Sequence, residues 1–409
     1  MLKDDCLYIV KEAIARVLPD EAVKRALGGR EFPDGRLILV SVGKAAWSMA
    51  SAAHSVLGTR IDRGIVITKH GYSKGAIGDL SVREAGHPVP DADTFSATRE
   101  ALELTRGLAP EDTVLFLLSG GGSALFEAPV IPEDELRDIT GQLLACGADI
   151  VEMNTVRKRL SGVKGGRFAR HCAPARVFTV VLSDIIGDPL DMIASGPAYP
   201  DASTCADAVR IAEKYALRLS EAAWAALKTE TPKTLSNTET HITGSVRELC
   251  AAAAGACREL GYEPQVLTDC LDCEAREAGR FLASIARSHQ NAGRSLAFIA
   301  GGETVVHITG RGRGGRNQEL ALAAADGIAG LEDTAVFSVG SDGTDGPTDA
   351  AGGYADGGSL AALRALGFDT YDVLRRNDSY TALKAVDSLI FTGATGTNVN
   401  DVAVILIKR

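Results

Sequence analysis

The sequence predicts an α/β protein made of two α/β domains with mostly parallel sheets. Three observations predict this. Short buried apolar runs lead repeatedly into a glycine-rich loop and then a helical stretch, in both halves of the chain. The chain has 409 residues, more than one hydrophobic core usually serves. A stretch rich in Thr, Ser and Asn, 229–240, reads as a connector, so the division is expected at 1–235 and 236–409.

Composition narrows the function classes. A net charge of −10 argues against nonspecific nucleic-acid binding, which needs a basic face, so an anionic ligand would have to meet local basic clusters. No run is apolar and long enough to read as a membrane span. Residues 1–18 carry early acids and read as an amphipathic helix with Cys6, Val10, Ala13 and Val17 on one face, not as a secretory leader. The scattered cysteines fit reduced, buried thiols, and a cytoplasmic location is expected. Cys270 and Cys273 form a C-x-x-C with no second pair to complete a zinc site.

In the first half, 36–42 reads as a buried strand running into Gly43 and Lys44. A Walker loop is excluded, because Ile38 stands where its first glycine belongs and Ala45 where Ser or Thr belongs. What remains is a lysine at the carboxyl end of a strand, where open parallel sheets bind ligands. A second strand, 64–68, is followed by 84–91, in which two prolines impose an extended segment. His87 in that segment has no neighbouring His or Cys and reads as structural. A helix at 94–108 precedes the strand 113–118, which opens into Ser119, Gly120, Gly121, Gly122 and Ser123. Three glycines between two serines let a small anion approach main-chain N–H groups.

Helices are expected at 133–146 and 150–160. The second carries Asn154, Arg157, Lys158 and Arg159, with Lys164 and Arg167 following. This densest basic stretch lacks interleaved aromatics, so it suits one small anion better than a nucleic acid. The strand 175–183 ends in Asp184, Asp188 and Asp191, a grouping that suits Mg²⁺. Residues 203–227 read as helical.

The second half repeats the pattern, with helices at 246–260 and 274–287 and strands at 265–268 and 295–300, the last ending at Gly301, Gly302 and Glu303. A further strand is expected at 305–308. Gly310, Gly312 and Gly315 then satisfy G-x-G-x-x-G before a helix at 320–328, so a dinucleotide fold has to be weighed. Arg311, Arg313 and Arg316 crowd that loop, however, and guanidinium groups suit phosphate or carboxylate oxygens. The strand 334–339 opens into a glycine-rich loop with Asp342, Asp345 and Asp349, whose spacing misses an EF-hand. Asn377, Asp378 and Ser379 read as a helix cap, and a last strand follows at 402–407.

Eight segments in order resemble the glycerate 2-kinase family: VGKAA at 42–46, GHPVPD at 86–91, SGGGSAL at 119–125, MNTVRKRLSGVKGGR at 153–167, LSDIIGDPLDMIASGP at 182–197, GRGGRNQE at 312–319, SDGTDGPTDAAG at 341–352 and TGTNVND at 395–401. The resemblance runs through nearly the whole chain. It implies a Rossmann-like glycerate kinase domain, a C-terminal MOFRL domain and an active-site cleft between them. It implies ATP- and Mg²⁺-dependent transfer of the γ-phosphate to the 2-hydroxyl of D-glycerate, giving 2-phosphoglycerate and ADP. D-glycerate is then the small-molecule partner, and a homodimer is compatible with these features.

Lys44 and Arg316 are the catalytic candidates, as positive charge beside the transferring phosphoryl. Ser119, Gly120, Gly121, Gly122, Ser123, Asn154, Arg157, Lys164, Glu303 and Asn317 are the candidates for binding substrate or nucleotide. The metal candidates are two acid groups, Asp184 with Asp188 and Asp342 with Asp345; the choice between them stays open, as does which loop takes ATP and which takes glycerate. Some relatives carry the name hydroxypyruvate reductase. An NAD(P)H-dependent reductase resting on Gly310, Gly312 and Gly315 is therefore the alternative.

Overall fold

The computed structural model describes residues 2–409. The chain forms two compact units. One comprises Ala22–Leu182 and Asp188–Thr243; the other comprises the chain up to Glu21, Ser183–Gly187 and Gly244–Arg409. The amino-terminal helix Leu2–Arg16 thus belongs with the carboxyl-terminal half.

The first unit is built on β1 (Leu37–Val42), β2 (Arg63–Lys69), β3 (Ser81–Ala85), β4 (Thr113–Leu118), β5 (Arg176–Leu182) and β6 (Thr238–Gly244), in the order β3-β2-β1-β4-β5-β6. The pairs β2–β3, β1–β2, β1–β4 and β4–β5 are parallel. Every residue of β1 and β4 is buried, as expected of parallel strands covered on both faces. Leu37, Leu39, Met49, Val66, Leu115 and Phe178 pack into one core of this unit. Val42 stands opposite Ile67 on one side and Leu118 on the other, so β1, β2 and β4 end level. Strand order reverses at β1: successive strands go to one side through β2 and β3, then to the other through β4 and β5. That reversal opens a crevice at the carboxyl ends of β1 and β4.

The stretch expected as one helix at 203–227 is two, Cys205–Lys214 and Glu221–Leu227, because the chain turns through left-handed Ala216 and restarts under the Ser220 cap. The expected connector at 229–240 already contains the start of β6.

The second unit holds β7 (Glu263–Leu271), β8 (Leu296–Gly302), β9 (Thr334–Gly340), β10 (Gly352–Asp356), β11 (Leu389–Ile390) and β12 (Asp401–Ile407), in the order β11-β10-β9-β12-β8-β7. Strands β7, β8, β9 and β11 run one way; β10 and β12 run against them. Cys6, Ile9 and Ala13 of the first helix pack with Leu249, Ala253 and Val404. The other face buries Leu282, Leu320, Val336 and Ile405. Asp401, the first residue of β12, lies opposite Gly302 and Gly340, the last residues of β8 and β9. The expected strand at 305–308 is absent. Val305 makes only an isolated bridge to Glu274, and Val305 and Ile308 are 50% and 84% exposed, so no buried face holds a strand there. No helix among the described residues is long and apolar enough to cross a membrane.

Candidate active site

In the first unit the loops after β1 and β4 lock together. The Lys44 backbone N–H donates to the Gly120 carbonyl at 2.9 Å, and the Ala45 N–H donates to Ser119 Oγ at 3.1 Å. Gly121 is left-handed at φ 87° and precedes the short helix Gly122–Leu125. A Cβ at Gly121 would lie 2.9 Å from His87 Cδ2, 3.1 Å from His87 Nε2 and 3.2 Å from Lys44 Cγ. The bare glycine therefore lets Lys44 and His87 lie side by side on the loop. The Lys44 ammonium has no carboxylate partner among the described residues. Burial, and after it the charges of Lys44 and Lys69, hold the His87 pKa below its usual value. This crevice is cationic, and its imidazole is biased neutral.

Behind the loop, the helix Ile150–Arg159 starts at a capping box in which Asp149 and Glu152 each accept the other's backbone N–H. Asn154 is buried and accepts from Ser195 Oγ at 2.9 Å; Ser195 Oγ lies 3.3 Å from Ser123 Oγ. Arg157 donates to the Ser123 carbonyl at 3.3 Å. The rest of the basic stretch is neither a solvated helix face nor an open anion site. Lys158 pairs with Asp201 at 3.1 Å and Asp191 at 3.2 Å. Arg159 is enclosed with Asp201 and Glu230. Lys164, fully buried, pairs with Glu127 at 2.7 Å and donates to the Phe126 carbonyl at 2.9 Å. Arg167 donates to the Ser161 and Arg159 carbonyls. Expected as a ligand contact, the Lys164 ammonium is instead committed to a buried ion pair behind the loop.

In the second unit Arg316 opens the helix Arg316–Gly327. Its Nε and Nη2 donate to the two carboxylate oxygens of Asp401 at 2.5 and 3.0 Å, and Nη1 donates to Glu303 Oε1 at 2.8 Å. Asn400 Nδ2 donates to Glu303 Oε2 at 3.0 Å. Burial works against the Arg316 charge, but Asp401 and Glu303 outweigh it and hold its pKa up. One N–H on each terminal nitrogen of Arg316 remains free of these bonds.

Asp345 differs from expectation. Its carboxylate accepts the Asn317 N–H at 3.1 Å and the Gln318 N–H at 2.9 Å, so it caps the helix that Arg316 opens. Burial pushes this carboxyl up to about 7, against those N–H bonds. Each oxygen accepts a helix N–H, so the structure places Asp345, expected as a metal ligand, at the start of the helix Arg316–Gly327. Asn317 is buried between Asp345 and Ser338, which donates to its side-chain carbonyl at 2.5 Å.

Asp342 is half-buried. One of its oxygens accepts the Thr344 N–H at 2.9 Å. Asp184 and Asp188, expected as a pair, fall in different units; Asp188 Oδ1 is buried with no hydrogen-bond partner among the described residues. Among the described residues, the one group of three or more potential metal-ligating side chains is His70, Asp91 and Asp93, and neither expected acid group forms such a cluster.

The G-x-G-x-x-G stretch has no strand before it. A Cβ at Gly310 would meet the Arg376 carbonyl at 2.1 Å, one at Gly312 would meet Asp378 Cβ at 2.5 Å, and one at Gly315 would meet Asp345 Cγ at 2.3 Å. These glycines admit the protein's own loops, so the structural ground for a dinucleotide fingerprint is gone. Asp378 likewise accepts the Arg313 N–H at 3.1 Å instead of capping its own helix.

The sequence reads His87 as structural and does not single out Asp401; the structure sets His87 against Gly121 and Asp401 on the Arg316 guanidinium. Both stand inside quoted motifs, GHPVPD and TGTNVND, and membership of those motifs was the one available signal.

A model described as a domain of unknown function, DUF4147, matches residues 5–228, and the MOFRL family matches 296–401. The chain is 53% identical to the D-glycerate 2-kinase of Thermotoga maritima, over 99% of this chain and 98% of that protein. It is 38% identical to the glycerate 2-kinase of Pyrococcus horikoshii, over 98% and 96%. An Agrobacterium vitis protein provisionally named hydroxypyruvate reductase is 40% identical, over 98% and 93%. The crystal structure of the Thermotoga maritima glycerate kinase superposes with a TM-score of 0.95 at 53% identity, over 99% of both chains.

Proposed function

The chain belongs to the glycerate 2-kinase family, and from that premise we infer that it is a phosphotransferase acting on the 2-hydroxyl of D-glycerate. ATP is the proposed donor, giving ADP and 2-phosphoglycerate. Lys44 carries this reading: an unpaired ammonium stands beside a glycine-rich loop at the strand-order reversal of an open α/β sheet. Phosphoryl transfer asks a protein for positioning and for charge neutralisation, and this loop supplies both.

Lys44 is proposed to neutralise charge on the phosphoryl group in flight, and the backbone of the 119–123 loop to cradle an anion. The Arg316 guanidinium, fixed by Asp401 and Glu303, offers its two remaining N–H groups to phosphate oxygens. Lys164, Asn154, Asn317 and Asp345 are proposed as positioning residues that hold these loops.

Magnesium is tested by the oxygens left uncommitted. Among the described residues, Asp342 in one unit and Asp188 in the other each keep an oxygen free of protein hydrogen bonds, and few carboxylates plus substrate phosphates suit this ion. Either would hold it, and when bound it would neutralise phosphate charge.

The test is direct. Purified protein with ATP, Mg²⁺ and D-glycerate should release ADP only when glycerate is present, and EDTA should stop the reaction. Phosphorus NMR should identify the 2-phosphate ester. ADP release independent of glycerate would remove the substrate assignment.

A further inference from the structure

Four cationic side chains follow one another closely behind the glycine loop, and three have a partner acid. Lys158 has Asp191 and Asp201, Arg159 has Asp201 and Glu230, and Lys164 has Glu127. Among the described residues Arg157 has none. Its one polar contact among them is the 3.3 Å bond from Nη2 to the Ser123 carbonyl. The acid that acts on it electrostatically, Glu127, is held at 2.7 Å by Lys164. Burial disfavours the Arg157 charge, and Glu127 opposes that effect. A largely enclosed guanidinium without a counter-ion is costly, and a protein keeps one where an anion arrives from outside. The remaining nitrogens of Arg157 are not sealed in, since they are absent from the buried unpartnered atoms while Nε of both Arg159 and Arg167 is among them.

The chemistry of the missing anion follows from the surroundings. A guanidinium presents parallel N–H groups that match a planar carboxylate in a two-bond fork, whereas a lysine ammonium is a compact point charge. Lys44 borders the loop at Gly120 and Gly121, and Arg157 borders it at Ser123. Beside Arg157 lie the hydroxyls of Ser123 and Ser195, the second fixed by Asn154. We propose that Arg157, with Ser123, is the anchor for the carboxylate of the acid substrate, leaving Lys44 to the phosphoryl side of the loop. The proposal rests on the glycerate kinase reading and adds a basis for its regiochemistry. In a 2-hydroxy acid the carbon bearing the 2-hydroxyl is bonded to the carboxyl carbon, so holding the carboxylate fixes the 2-hydroxyl more tightly than the 3-hydroxyl.

The experiment compares wild type, Arg157→Met and Arg157→Lys with D-glycerate and with its uncharged amide, glyceramide, alongside calorimetric titration of D-glycerate without nucleotide. Arg157→Met should raise the D-glycerate KM on the order of 10²-fold, the scale for removing one partner of a buried charge pair. It should leave the nucleotide KM in place and abolish the preference for acid over amide. Arg157→Lys should keep part of that preference, and it carries the test if the methionine variant does not fold. A loss of packing alone would not change the acid-to-amide ratio. If the ratio is unchanged in both variants, or if the nucleotide KM rises instead, the carboxylate anchor is wrong. If wild type binds D-glycerate in an Arg157-dependent way but forms no 2-phosphoglycerate, the anchor stands and the kinase reading fails.

Discussion

Replacing Gly121 by alanine should damage the chemistry more than the fold. Gly121 sits at φ 87°, and a left-handed backbone costs a residue with a Cβ roughly 1–2 kcal/mol. In a unit of this size that lowers the melting temperature by about 2–8 °C. The added methyl would also stand 2.9 Å from His87 Cδ2 and 3.2 Å from Lys44 Cγ, so both side chains must move by a few tenths of an ångström. They can, because each is free at its far end, so steric crowding adds little to the folding loss. A catalytic charge tolerates such movement poorly: displacement approaching 1 Å costs up to about 10²-fold. The expected kcat loss is therefore roughly 10- to 100-fold. Gly107→Ala is the control. Gly107 has φ 63° in the same unit, and its Cβ would meet nothing within 4 Å. It carries the same kind of backbone cost without crowding, so it should melt lower and keep its kcat. The assay is glycerate-dependent ADP release beside calorimetric melting for both variants. Equal kcat in the two would show that Lys44 and His87 do not sit at the reacting centre.

Other substitutions probe separate parts of the molecule. Lys44→Ala and Arg316→Ala, made singly, should each lower kcat by roughly 10²-fold or more with the fold intact, and Arg316→Lys should also lose activity because it removes the fork that grips Asp401; a rise in KM with unchanged kcat would assign the residue to ground-state binding instead. Glu127→Ala leaves Lys164 charged and enclosed, so stability should fall by about 3–5 kcal/mol, and an unchanged melting curve would mean that water reaches that ammonium. His87 should titrate below its ordinary 6.5 in an NMR pH series, and Lys44→Ala should raise its pKa by removing a neighbouring positive charge; no movement would separate the two side chains in solution. Because the folded state resists that proton, the His87 contribution to stability is full above 6.5 and is lost as pH falls below it.

The α/β class was legible in the sequence because its signals are local. Apolar runs such as 37–42 and 113–118 read as buried strands wherever they occur, and the glycines after them mark the loops. The placing of Lys44 and of the loop 119–123 at strand ends was legible for the same reason, as each stands directly after a strand. The segment 305–308 failed that rule. It is apolar but leaves Val305 and Ile308 exposed, and apolarity without a covered face does not make a strand. What neighbouring positions could not determine was which charges are compensated. The run Arg157, Lys158, Arg159 is uniform on paper. Folding supplied Asp201 to two of its members, from 43 residues on in the case of Lys158, and gave Arg157 no acid among the described residues. Likewise Asp345 and Asp342 look alike in a glycine-rich loop, yet one faces two helix N–H groups and the other keeps an oxygen free. Charge compensation depends on distances of 3 to 4 Å between residues far apart in the chain, so sequence determined the strands and their loops, and tertiary packing decided which charges remain for a ligand.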